Sequence, residues 1–338
     1  MIPSIHILPY LAHSPTLVDS PVALGHGVAL IGRVTLGERA QFGALATIRA
    51  DGHYVKVGDD FQLGHRSTIH IAHALLPTVV GNNVKVGGNC TVHACHIGDH
   101  SVIEDNCYVL DGAVVGEGCL IAAGSTVFPR MELPAGHYCE GSPAKPIRPV
   151  TPEQLAAART RVLGLALATQ VTPRRGQLFL PNGSNFVAPT ACLQGDIELG
   201  SDVSVWFACE LLASKNKISI GRDTNVQDGT VIIADSGPVR MGSHITTGHN
   251  VVIQSTEIGD HSLVGIGSVL APGTVIESDV LLAGGSMTLP GQRLTSGYMW
   301  AGRPARRLGE LDDAKRNIIK FGGEHYVQYN RDYLGQSA

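Results

Sequence analysis

The chain has 338 residues, 41 of them glycine, with 5% aromatic residues and a formal charge of −4 at neutral pH. The length suggests two domains of ordinary size, and the bias toward small residues suits a solenoid of short strands and tight turns better than a compact globule. There is no basic block to argue for nucleic acid, and no apolar run approaches the roughly 18 residues of a membrane span.

The first stretch, MIPSIHILPYLAHSPT, carries no basic n-region and no small-residue cleavage site, which predicts a chain that stays in the cytoplasm. The seven cysteines are an odd number, and Cys90, Cys95, Cys107 and Cys119 fall where a repeat wants small residues. That placement predicts reduced, buried thiols rather than a disulfide framework. For Cys90 and Cys95, beside His93, the alternative is a pair of soft metal ligands.

From about residue 21 to residue 148 the sequence divides into hexapeptides such as VALIGR, VTLGER, VKVGDD, FQLGHR, TVVGNN and LIAAGS. An aliphatic residue recurs every six positions, followed by Gly or a small polar residue. Ordinary antiparallel sheets repeat every second residue, so a sustained period of six predicts a parallel β-helix with three hexapeptides per turn. The aliphatic side chains point into the prism, and Gly, Asn or Asp relieves the corners where φ is positive.

At Thr151 the pattern gives way to TPEQLAAARTRVLGLALA, which predicts a helix over 151–168. Thr151 and Gln154 are spaced as a capping box, with Pro152 at the first helical position. This helix is expected to pack back along the first prism. A Pro/Gly/Arg-rich linker over 169–183 follows, the hexapeptides resume, and a second helix is expected over 312–334. The predicted organisation is therefore a first β-helix with its helix over 1–168, the linker, and a second β-helix with a C-terminal helix over 184–338.

The two halves align with each other. Val57-Gly58 falls on Ile220-Gly221 at an offset of 163, and Ile97-Gly98-Asp99 falls on Ile258-Gly259-Asp260 at an offset of 161. The chain reads as a tandem duplication.

Between those anchors lie His70 and His93, 23 residues apart. One turn of three hexapeptides is 18 residues, and AHALLP reads as a bulge of about five more, so the two histidines are expected to stack on successive turns about 4.8 Å apart. Zn–N bonds of about 2.0–2.1 Å then put both within reach of one ion. Two ligands do not complete a site.

The second half, with DTNVQDGTV, TTGHNVVIQ, TEIGDHSLVGIGSVL, MWAGRPARR and GGEHYVQYNRDYL, resembles a γ-class carbonic anhydrase domain over nearly its whole length. The first half is a more diverged copy, with IRAD (Ile48 to Asp51) where that family has R-G-D. The resemblance implies a left-handed parallel β-helix that associates in threes. It also implies zinc, or another divalent transition metal, held by three histidines: one ending the D-G-x-V-x-H strand, one in a T-x-G-H segment, and one five residues later.

Mapped onto this chain, the first half keeps the first and third ligands as His70 and His93 and has Gly88 at the second. The second half has Ile233 and Gln254 at the first and third and keeps the second as His249. What one half lacks the other supplies, so the resemblance implies one composite site of His70, His93 and His249 where unlike halves meet. The reaction implied is attack of a metal-activated hydroxide on CO2 or another small electrophile.

Supporting residues divide in the same way. Asn225 and Gln227 match family residues that hydrogen-bond near the metal-bound water, where the first half has Gln62 and Gly64. Arg49 and Asp51 match the family's R-x-D pair, and are read either as an interface ion pair or as participants in the site. His73, on the bulge, stands where some members place a proton-shuttling carboxylate; it is read either as a relay or as an exposed loop histidine. The usual glutamates after Asp51 are replaced by Gly52, His53 and Tyr54. The resemblance predicts a small-molecule substrate and a homo-oligomer with trimeric arrangement of β-helices, without nucleic-acid or membrane partners. Two rival readings are a hexapeptide-repeat acyltransferase using coenzyme A and a non-catalytic assembly scaffold.

Overall fold

The computed structural model describes residues 5–19, 23–168 and 183–336. Its contacts divide the chain into two units, Met1–Pro173 and Arg174–Ala338. All of the expected linker but its last residue lies outside the described residues.

The first unit is a parallel β-helix. Thr91–His93 pairs in parallel with Thr68–His70 on one side and with Tyr108–Val109 on the other, and Ile69, Val92 and Val109 form one fully buried inward column. The hexapeptide period produces this result because every sixth residue returns to the same inward position on the next face. A longer strand, Thr47–Val57, turns a corner: its first half pairs with Thr68–His70 and its second half with Thr78–Val80. The residues between those two partners form a short loop closed by a bridge between Ala72 and Leu76, and this loop accommodates the extra length of the 23-residue interval.

The second unit repeats the plan. Glu210–Ile220 is also an 11-residue strand that turns a corner, pairing with Val231–Ile233 and then with Val239–Met241. Its inward column of Leu211, Ile232 and Ile253 is fully buried.

Two details depart from the sequence reading. The strand Ile5–Leu8 pairs in parallel with Val28–Ile31, so the first turn begins ahead of the visible hexapeptides. The left-handed corners also take bulkier residues than Gly, Asn or Asp, among them Arg39, Leu45, Arg66 and Arg130. A corner side chain points outward, so the penalty of about 1–2 kcal/mol for this conformation can be offset by outside contacts. Arg39 makes such a contact, with Nε 2.8 Å from Asp60.

Helix α1, Pro152–Ala168, opens with the expected reciprocal cap: the Gln154 amide donates to Thr151 Oγ1 (3.3 Å) and the Thr151 amide to Gln154 Oε1 (3.2 Å). It packs back on its own prism, with Ala158 and Val162 buried against Val102 and Leu120. Helix α2, Asp313–Gln336, starts and ends slightly later than expected, capped by Asp312, which accepts from the Lys315 amide at 2.9 Å. Its Tyr326, Tyr329 and Tyr333 surround the fully buried Trp206 with ring centroids 5.1–6.3 Å away. No helix among the described residues is long and apolar enough to cross a membrane.

Candidate metal centre

Strand register places His70 directly opposite His93, at the ends of neighbouring strands in the first unit. Both side chains leave the outer face of the prism yet are almost fully buried. His70 Nε2 lies 3.0 Å from Asp51 Oδ1, and Asp51 in turn pairs with Arg49; both members of that ion pair are fully buried. His93 Nδ1 lies 2.6 Å from Asp111 Oδ1. Between the rings, His70 Nδ1 and His93 Nε2 face each other at 3.2 Å.

This chain of contacts determines where the protons sit. A carboxylate is an acceptor, so Asp51 takes the Nε2–H of His70 and Asp111 takes the Nδ1–H of His93. In neutral imidazoles the two facing nitrogens are then both lone-pair acceptors, a repulsive arrangement unless a proton or a cation lies between them. Two nitrogens bound tetrahedrally to zinc, each at about 2.0–2.1 Å, stand about 3.3 Å apart. The observed separation fits such an ion, and a carboxylate behind each ligating imidazole is the support that metal-bound histidines usually have.

Asp111 is half-exposed. Partial desolvation works against its charge but is outweighed by His93 and, more distantly, His70, so its carboxyl is held below the usual range. Asp111 was not among the residues identified from the sequence, although it stands 18 residues after His93, one turn further on.

In the second unit the equivalent outward column is Leu212, Ile233 and Gln254, which pair in register but offer no imidazole. This unit carries His249, fully buried, with Nδ1 3.1 Å from Asp228 Oδ2. Asp228 accepts from the Phe207 amide at 3.0 Å, which fixes its orientation. Its proximity to Nδ1 leaves Nε2 as the candidate ligand atom. Gln227 Nε2 donates to Asn225 Oδ1 at 3.1 Å, and Asn225 Nδ2 donates to Thr246 Oγ1 at 3.0 Å, so both amides are buried and oriented.

The first unit has lost this second arrangement. A Cβ added at Gly88, the counterpart of His249, would meet the His65 ring at 2.2 Å, so His65 occupies the space a ligand there would need. Gln62, the counterpart of Asn225, donates instead to the Val162 carbonyl of α1 at 3.3 Å. The structure thus groups Arg49, Asp51, His70 and His93 in the first unit and Asn225, Gln227 and His249 in the second. His73 lies on the loop between Thr68–His70 and Thr78–Val80 with φ of 50°, partly exposed. Cys90 and Cys95 are buried in the hydrophobic core of the first unit, where burial pushes both thiols up, and neither belongs to the histidine cluster.

Comparison with known proteins agrees with this architecture. The bacterial transferase hexapeptide model of six repeats matches residues 94–129, and the hexapeptide repeat of succinyl-transferase matches 54–94 and 255–287, one stretch in each half. The chain is 34% identical over 160 residues to γ carbonic anhydrase 2, mitochondrial, of Arabidopsis thaliana, which takes in 45% of this chain and 58% of that one. Protein YrdA of Escherichia coli is 31% identical over 172 residues, 48% of this chain and 90% of YrdA. The chain belongs to the γ-carbonic-anhydrase-like family of hexapeptide-repeat proteins.

Membership in this γ-carbonic-anhydrase-like family makes each prism a left-handed β-helix and accords with an enzyme's scaffold. The chain spans little more than half the length of the plant relative. A solved structure from Desulfovibrio desulfuricans G20, provisionally labelled an acetyltransferase, covers 96% of this chain and 83% of that one at a TM-score of 0.58 and 13% identity, a likeness of fold alone.

Proposed function

We propose that this chain is a zinc-dependent lyase of carbonic anhydrase type, acting on CO2 or a similarly small electrophile. Its one kind of site would be formed by His70 and His93 of a first unit and His249 of a second unit. The observation that carries this reading is the pair of imidazole nitrogens 3.2 Å apart, each ring held from behind by a carboxylate. The complementary loss of ligands in the two halves supports it, as does the similarity to γ carbonic anhydrases.

When bound, zinc would supply a water acidic enough to be a nucleophile near pH 7. The chain's own residues do the rest. Asp51 and Asp111 hold the N–H tautomers that turn a lone pair of each ring inward. Arg49, paired with Asp51 in a fully buried ion pair, holds that carboxylate in place. Asn225 and Gln227 offer oriented amides to a polar substrate or a water. His73, on its partly exposed loop, can carry protons outward.

Rings made only of first units or only of second units would lack a complete ligand set, so we propose a trimeric arrangement of β-helices in which unlike units meet. The test is metal content of the purified protein beside His249→Ala and His93→Ala, followed by CO2 hydration assays. The reading expects about one zinc per chain, lost in both variants while the fold is kept. Wild-type protein that stays free of zinc after attempted reloading overturns it.

A further inference from the structure

The two helices cover the same corner of their own prisms and close it differently. In the first unit that corner carries Asp60, Asn83 and His100, one per turn, all left-handed with φ of 56°, 54° and 62°. Arg159 of α1 lays its guanidinium across two outward carbonyls: Nη1 is 2.9 Å from Asn83 O and 3.2 Å from His100 O, and Nη2 also donates to Asn83 O.

At the same register the second unit has Asp223, His244 and His261, with φ of 55°, 58° and 54°. The two imidazoles stack with centroids 4.8 Å apart and planes within 4°. Ile319 packs against Leu281 and Leu263 as Ala158 packs against Leu120 and Val102, so the next residue, Lys320, stands where Arg159 stands in α1. Lysine does not play the same part. Its side chain is 72% exposed, with Nζ 3.8 Å from Glu324, and no described residue donates to the carbonyls of His244 and His261. Between α2 and the corner lies a cavity of about 660 Å³, lined by His244, His261, Asp223, Asp279, Lys320 and Glu324 among others.

We propose that this cavity binds a small molecule bearing a guanidinium group, seated as Arg159 is seated in the first unit. The corner offers acceptors: two carbonyls on neighbouring turns and, flanking them, the carboxylates of Asp223, which Arg222 and His244 already approach at 3.2 and 3.7 Å, and of Asp279. Of the helix cations lining the cavity, Arg316 lies 3.9 Å from Asp279 and Lys320 3.8 Å from Glu324, while Arg331 also lines it, so an anion is the competing occupant that a phosphate titration tests. A rigid planar fork of N–H donors matches two carbonyls one turn apart; a lysine ammonium, a compact point charge, does not bridge them in the same way. The cavity is larger than a guanidinium, so the ligand carries a further chain, as agmatine does. This inference is independent of the histidine centre.

The test is calorimetric titration of the full-length protein with agmatine and, separately, with inorganic phosphate, beside Asp223→Asn and Lys320→Arg. Saturable binding of agmatine and none of phosphate is expected. Asp223→Asn should weaken agmatine binding at least about fivefold. Lys320→Arg should fill the cavity from within, abolishing binding while raising the melting temperature, which also shows that the variant is folded. Lys320→Arg protein that binds agmatine as wild type does, phosphate binding in place of agmatine, or no saturable agmatine binding into the millimolar range would each overturn the proposal.

Discussion

The outward column of the first unit reads Arg49, His70, His93, and that of the second reads Leu212, Ile233, Gln254, on the same backbone and in the same register. The inward columns next to them do not diverge: Ile48, Ile69 and Val92 in one unit, Leu211, Ile232 and Ile253 in the other, all fully buried. Each inward side chain fills a closed prism, so its loss leaves a hole, whereas the outward ones lie outside that prism and can change without opening one. A duplicated β-helix is therefore free to divide a ligand set between its copies so long as the interior stays aliphatic.

The largest expected effect on that comparison comes from the outward side. His93→Ala and His249→Ala, in different units, should each abolish zinc binding by the whole protein, read by metal analysis; zinc kept by either variant would mean that the units do not share one ligand set. The inward side should behave symmetrically. Ile69→Ala and Ile232→Ala should each cost about 2–5 kcal/mol of stability in chemical denaturation, and a large difference between them would break the equivalence of the two interiors.

Asp111 sharpens the contrast, because its counterpart by offset in the second unit is Pro272. Asp111→Asn should lower zinc affinity about 10- to 100-fold, read by competition with a chelator. The same variant tests a pH effect. The folded carboxyl titrates below its ordinary value, so the stability it adds is present above that value and is lost as the pH falls through the folded one. Acid unfolding of wild type should therefore steepen slightly below about pH 3.8 relative to the variant; indistinguishable acid profiles would refute the linkage. Smallest of all, Thr151→Ala should cost about 1 kcal/mol through loss of the α1 cap, read as a lowered melting temperature.

Much of this was legible in the residues. The period of six fixed the inward positions, Thr151 and Gln154 announced the start of α1, and counting the extra residues of AHALLP placed His70 opposite His93. The carboxylates behind the histidines were harder to see. Asp228 sits in a D-G pair that reads as a corner, and Asp111 in another, so their turn-forming role masked their contacts with imidazoles. The obstruction of Gly88 by His65 depends on where one ring lies, which no periodicity encodes. The corner cavity depends on a lysine turning toward Glu324 where an arginine reaches inward, a choice between two conformations of a long side chain. The extra strand Ile5–Leu8 was missed because it lies ahead of the first clear hexapeptide.

The loop closed by Ala72 and Leu76 has a practical consequence. Because both flanking strands keep their neighbours, added residues at its tip, where Leu75 is 68% exposed, leave every turn of the solenoid in place. Lengthening such a loop costs little, about 0.6 kcal/mol per doubling. It is therefore the natural insertion point for a reporter or an affinity tag, and a place where chain length can drift over generations without moving His70 or His93. His73, on the same loop, is the one site residue such an insertion would shift.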